Sequence, residues 1–155
     1  MAETSRRAAR SVRRGGMPNA LFVVAAAEAL PAELAGVGTA LTVQFPWGSL
    51  LRGLLGADTA ILGGIVRVCR PGARVSLLLS VTERDHVAGV PLLTAHTVER
   101  LASAYAARGL LLCEGRPATP ADLAASHSSW ARRLGAGGRR PAWLLRFRVC
   151  AAANG

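Results

Sequence analysis

Lysine is missing from this chain: all 19 basic residues are arginine, set against nine acidic ones, for a net charge of +10 over 155 residues. No apolar stretch reaches the roughly 18 residues that a membrane span needs, although 51% of the chain is hydrophobic. The opening MAETSRRAARSVRRGG holds five arginines and no apolar signal-peptide core, so the expected location is the cytoplasm. Cys69, Cys113 and Cys150 lie far apart with no C-x-x-C spacing, which argues against a disulfide framework or a zinc site; each sits beside apolar residues and reads as a buried small hydrophobe. His86, His96 and His127 are isolated, and no metal centre is expected. G-x-G-x-x-G, a P-loop, an ordered Ser-His-Asp set and a hydrolytic pair of carboxylates are all lacking.

The apolar share suffices for one domain core. An arginine-only basic set suits RNA, because the planar guanidinium grips phosphate at two points and stacks on bases. A nucleotide-composition bias in the source gives the same arginines on a merely solvated surface, so both readings stand.

Along the chain, residues 3–14 read as a helix stopped by Gly15-Gly16. ALFVVAAA (20–27) is an unbroken apolar run of the kind found in a strand buried on both faces. After a short turn at 31–35, TALTVQF (39–45) is a second strand that ends at Pro46-Trp47-Gly48. SLLRGLLG (49–56) is a short amphipathic helix, and 57–72 is a second one with Ile61, Leu62, Ile65, Val66 and Cys69 on one face. ARVSLLLSVT (73–82) is a third strand. Thr94 caps a helix that runs to about Arg108 and stops at Gly109, and a strand follows at 110–118. Thr119-Pro120-Ala121-Asp122 starts a helix that continues to residue 134. AWLLRFRVCA (142–151), with arginine alternating among apolar residues, is expected near the sheet edge. Strands alternating with helices imply a layered α/β fold with a mainly parallel sheet, whose ligands bind beyond the carboxyl ends of the strands.

Two segments fall at such ends, 25–28 and 45–49. Trp47 either folds back onto the core or is held out as a stacking platform, and Trp130 presents the same choice; Trp143, opening a strand, reads as packing. Glu28 is either a solvated carboxylate or an acceptor for a ribose or an adenine amino group. Arg132, Arg133, Arg139 and Arg140 flank a glycine-rich loop and form either a phosphate clamp or a solvated basic loop.

GGMPNALFVVAAAEALP (15–31), TVQFPWGSLLRGLLG (42–56), VCRPGARVSLLLS (68–80) and SSWARRL (128–134) are together similar to the 16S rRNA adenine-N(1) methyltransferases of the kanamycin–apramycin resistance group. The resemblance runs over nearly the whole chain, with FPWGSLLRG and S-S-W its most specific blocks. It implies a Rossmann-like class I fold, S-adenosylmethionine as cofactor, and as target one adenine of the decoding site of 16S rRNA within the 30S subunit, the modification giving aminoglycoside resistance. By the same resemblance Trp47 and Trp130 stack on the flipped adenine with Ser128 nearby, and the Pro46 carbonyl positions the base edge. Ala26, Ala27 and Glu28 line the adenosine pocket, Ser49 sits near the methionine end, and Arg139 or Arg140 holds a phosphate. Gln44 is the remaining cofactor-side position, at a place where the family tends to be apolar, and the loop 83–93 is shorter than its family counterpart.

The resemblance also implies two strands upstream of residue 1, one bearing the glycine-rich cofactor loop and one ending in a ribose-binding acid, with MAETSRRAARSVRRGG matching the helix after them. In the sheet order 3-2-1-4-5-7-6 that pair lies between 20–27 and 39–45. Residues 1–155 are therefore expected to be a single incomplete, monomeric methyltransferase domain whose activity is impaired. The alternative is a non-catalytic basic remnant that grips rRNA.

Overall fold

A computed structural model describes residues 12–17, 19–85, 91–136 and 140–150, and only the backbone of Val12, Arg84, Trp130 and Leu134. Four strands, β1 (Gly38–Gln44), β2 (Cys69–Leu79), β3 (Leu110–Pro117) and β4 (Trp143–Val149), form one sheet in the order β1-β2-β4-β3. β1 and β2 are parallel, while β4 runs antiparallel to both β2 and β3. The sheet is thus mixed, not mainly parallel. Its order is the 4-5-7-6 half of the arrangement the resemblance implies.

Three helices cover one face of this sheet. α1 (Gly48–Leu55) and α2 (Thr59–Val68) connect β1 to β2, and α3 (Ala95–Ala106) precedes β3. Their apolar stripes, including Leu51, Leu54, Ile61, Leu62, Leu101 and Tyr105, meet Val75, Leu77, Leu145 and Phe147 in the main core. Tyr105 stacks on Phe147 with ring centroids 4.7 Å apart and donates its hydroxyl to the Leu54 carbonyl at 2.9 Å, so its polar tip is satisfied inside the core. Burial pushes the Tyr105 phenol well above its ordinary pKa.

α4 (Pro120–Ala125) and α5 (Ser129–Leu134) lie between β3 and β4. Ala131 of α5, with Phe45, Leu78, Ala142 and Leu144, makes a second, smaller core. The rest of that second face, including Thr42, Arg74, Arg146 and Arg148, is exposed.

Local signals hold where they are self-contained. Thr94 and Thr119 both make capping boxes, with Pro120 in the first turn of α4 as expected. Elsewhere the chain departs from expectation. The helix before β2 ends at Val68, not at Gly72, because Pro71 biases Arg70 toward extended backbone and the strand starts at Cys69. The helix expected over 120–134 is two helices. His127 stands at φ 49° between them, Ser126 donates its hydroxyl to the Leu123 carbonyl, and Ser128 caps α5, so serine side chains replace the helical ladder at the break.

β4 is interior, not at an edge. Its alternating arginines mark an uncovered face: Arg146 and Arg148 point there while Leu145, Phe147 and Val149 point into the main core. Cys69 is buried, but Cys113 and Cys150 are exposed. Of the expected amino-terminal helix, residues 1–11 lie outside the described residues, and Val12–Arg14 is a single 3-10 turn before Gly15 at φ 77°.

The largest departure is the run 20–27. It forms no strand, and Leu21, Phe22, Val23 and Val24 are all exposed. A run patterned for burial on both faces needs a sheet neighbour, and among the described residues none pairs with it.

Among the described residues no single helix is long and apolar enough to cross a membrane, and no three His, Cys, Asp or Glu side chains gather in a metal-binding group.

Candidate functional site

The carboxyl end of β1 breaks sharply. Phe45 takes φ 47° and Gly48 φ 62°; only the glycine adopts such a value without strain. Phe45 and Pro46 are buried, whereas Trp47 is 55% exposed and serves as the N-terminal flanking residue of α1. The strained turn therefore sinks two neighbours and lifts one indole into solvent. Phe45 shares the smaller core with Ala131, the residue after Trp130. The strand tip bearing Trp47 and the helix bearing Trp130 are thus built on one apolar cluster, although the Trp130 side chain lies outside the described residues. Ser128 caps α5 by accepting from the Ala131 N–H at 3.2 Å.

A second feature lies on the α1/α2 side. Glu28, in the 3-10 turn Ala27–Ala29, faces a cleft of about 450 Å³. Ser49 and Arg52 of α1 and Asp58, Ala60 and Ile61 at the start of α2 complete its lining. The turn reaches this position because Gly64 lets it approach: a Cβ at Gly64 would stand 1.9 Å from the Ala27 carbonyl oxygen. Arg67 donates to the Leu30 carbonyl at 2.7 Å and the Gly36 N–H to the Arg67 carbonyl at 2.9 Å, fixing the rest of segment 27–36 along α2. Ala26, just before the turn, is exposed.

Gln44 faces elsewhere, into a recess on the second sheet face with Thr42, Ser76, Ser126 and Arg146. The structure therefore joins Glu28 to Ser49 and sets Gln44 apart from them.

Arg140 is engaged within the protein. Its guanidinium donates to Asp85 (2.8 Å from Nη1), to the Ser80 hydroxyl at 2.8 Å and to the Ser80 carbonyl at 3.2 Å. Burial raises the Asp85 pKa, but the hydrogen bonds from Arg140 and from the Thr82 N–H outweigh it and hold the carboxyl below its usual range. Arg139 lies outside the described residues. A second ionic cluster fixes α4: Arg116 bonds Glu114 at 2.7 Å and Asp122 at 2.6 Å, and Arg146 bonds Glu114 at 2.6 Å. The bond from Arg116, with those from Thr119, holds Asp122 far below the ordinary carboxylate range.

The family model for NpmA-type 16S rRNA (adenine(1408)-N(1))-methyltransferases matches residues 1–149. The chain belongs to this family. It is 41% identical over 141 residues to the 16S rRNA (adenine(1408)-N(1))-methyltransferase of Streptoalloteichus tenebrarius, covering 86% of this chain and 64% of that protein. An rRNA methyltransferase of Saccharopolyspora hirsuta is also 41% identical, over 143 residues, covering 87% of this chain and 89% of that one. Among solved structures, a tryptophan-to-alanine mutant of the Catenulisporales acidiphilia family enzyme with cosubstrate SAM superposes with a TM-score of 0.85 at 34% identity. That match covers 100% of this chain and 72% of the other. The fold of this family member is accordingly the Rossmann-like α/β methyltransferase fold, and the chain spans less than two thirds of the Streptoalloteichus enzyme.

Several residues that shape the family member's site were not read from sequence. Asp85 and Ser80 partner Arg140 from about 55 and 60 positions away, a distance at which no local signal operates. Gly64 had a signal: Gly63-Gly64 inside an amphipathic helix marks a close backbone approach.

Proposed function

We propose that this chain carries the base-holding part and one wall of the cofactor site of an enzyme that methylates ring nitrogen 1 of an adenine in the decoding site of 16S rRNA. The methyl donor is S-adenosylmethionine, the substrate setting is the 30S subunit in the cytoplasm, the chain acts as a monomer, and the outcome is aminoglycoside resistance. The carrying observation is the β1 tip: a strained turn spends backbone energy, about 1–3 kcal/mol for a residue such as Phe45, to present the Trp47 indole to solvent beside α5.

In this reading Trp47 and Trp130 hold the extruded base between them, each stack contributing about 1–3 kcal/mol. The Pro46 carbonyl accepts from the exocyclic amino group, and Ser128 lies at the end of α5 nearest the base. The Glu28–Ser49 cleft fits a nucleoside-bearing cofactor: the Glu28 carboxylate is an acceptor for hydroxyl or amino groups, Ala26 and Ala27 supply a small-residue wall, and Gln44 borders the neighbouring recess. Bound there, S-adenosylmethionine supplies an electrophilic methyl group. The protein's own side chains need move no proton before attack, because N1 of neutral adenine already carries a lone pair; extraction and alignment are the work required. Arg140 reaches a phosphate only by giving up Asp85, which leaves Arg139 as its partner in that role.

The test is made in a relative spanning the family's full length. The counterparts of Trp47→Ala and Trp130→Ala are expected to abolish methylation of 30S subunits while cofactor affinity, by titration calorimetry, is unchanged; loss of cofactor affinity overturns the base-holding role. The 155-residue chain alone is expected to bind S-adenosylmethionine weakly or not at all and to methylate nothing, and micromolar binding contradicts this.

A second reading, a non-catalytic rRNA-binding remnant, draws on the unpaired run at 21–24. Its signature is 30S association without methyl transfer.

A further inference from the structure

Two unsatisfied features flank the same side of the sheet. β1 pairs with β2 alone, so its other edge is open. The Phe45 N–H donates to the Leu78 carbonyl, across from β1. Backbone groups alternate along a strand, so those of Val43 also face β2 while those of Thr42 and Gln44 face the open edge. The second feature is the run before β1. Among the described residues, none of the backbone groups of residues 21–25 takes part in a backbone hydrogen bond. The side chains there are exposed too: Leu21 by 79% and Val24 by 105%. Polar backbone without partners and a consecutive aliphatic run without cover are each unfavourable; together they describe a strand whose neighbour is another polypeptide segment.

The segment 27–36 does not collapse onto β1 to fill the gap. It is pinned along α2 by the Arg67 and Gly36 bonds and by the close approach at Gly64, which holds the run apart from the open edge. Beside that edge, Arg74, Arg146 and Arg148 stand on the uncovered sheet face, a basic surface.

We propose that the open edge of β1, the run 21–24 and the adjoining arginine face form one docking surface for a strand-bearing α/β segment in trans. The strands insert between β1 and the run, and a helix with acidic residues lies on the arginines. The occupant is the part of a family enzyme that this chain does not cover; the match leaves 28% of the solved SAM-bound relative unaccounted for. The docking itself rests on the edge and the run, and only the occupant's identity leans on the function proposed above.

The probe is the amino-terminal remainder of the Streptoalloteichus tenebrarius enzyme, made separately and mixed with the intact 155-residue chain. Native mass spectrometry is expected to show a 1:1 complex, and amide exchange to slow at residues 21–25 and at 42 and 44. Thr42→Pro removes an outward-facing N–H without touching the β2 ladder, and Val24→Asp places a charge where the run is fully exposed, so each is expected to abolish the complex while the free chain keeps its exchange pattern elsewhere. If Thr42→Pro unfolds the chain, Val24→Asp decides alone. No complex, or a complex in which those amides still exchange freely, overturns the proposal. So does a homodimer of the free chain that protects residues 42 and 44, since a second copy then covers the edge. A complex with the expected protection that transfers no methyl group leaves the docking intact and counts instead against the proposed function.

Discussion

Leu77 in β2 and Val24 in the run before β1 are both aliphatic residues in apolar stretches of similar length, yet Leu77 is wholly buried and Val24 wholly exposed. The difference lies in neighbours, not in composition. Leu77 pairs with Val43 on one side and Leu145 on the other, and α1, α2 and α3 close over it. Val24 has neither strand partner nor helix cover. A hydrophobic run states a demand for burial; whether the demand is met depends on what lies beside it. The molecule thus divides into a packed four-stranded half whose stability is its own and an amino-terminal border whose order comes from outside.

That division is sharpest under core truncation. Phe147→Ala removes a ring that is 2% exposed and stacked on Tyr105, and the expected loss is about 3–5 kcal/mol in urea unfolding. A loss below about 1 kcal/mol would mean the packed half is not the stable unit.

The junction between the two regions comes next. Gly64→Ala places a methyl group against the Ala27 carbonyl, and overpacking of this kind costs about 1–3 kcal/mol. The turn at 27–29 is expected to detach, seen as faster amide exchange at residues 27–30 with β2 and β4 unchanged. Unaltered exchange there would show that α2 does not anchor the border.

Acid acts on the packed half alone. Asp85 and Asp122 both titrate below their unfolded values because arginines hold them. Their contribution is complete above about pH 4, declines as pH falls from there toward the folded pKa values, and is gone below them. Arg140→Ala is expected to cost about 2 kcal/mol at neutral pH, by stranding a largely buried carboxylate, and less as Asp85 becomes protonated. A cost that does not shrink between pH 7 and pH 3 would assign the effect to lost packing of the arginine stem.

How far the sequence was legible follows the same line. Thr119-Pro120-Ala121-Asp122 announced its helix because cap, proline and acid act within one turn. FPWG announced an exposed tryptophan at a strand end, since proline and glycine dictate backbone locally. The interior position of β4 was hidden, because an arginine-alternating strand looks the same at a sheet edge as over an uncovered face, and only the pairing of Trp143–Val149 with both β2 and β3 separates the two. Cys113 and Cys150 read as core residues from their apolar flanks, but strand alternation and the end of β4 left them outside. The Arg140–Asp85 pair was illegible for a plainer reason: its partners meet only after β2, the loop after it and β4 are assembled.

The smallest expected effect is the most discriminating. Leu21→Ser and Val24→Ser, singly and together, remove aliphatic groups from the border, where side chains that exposed have almost no contacts to lose. Unfolding free energy should stay within about 0.5 kcal/mol of the parent, as for ordinary surface substitutions. Self-association should fall, because an aliphatic patch becomes polar. If instead these substitutions destabilise the isolated chain by as much as a core truncation does, the run must fold back onto the sheet in solution, and the two halves contrasted above are one cooperative unit.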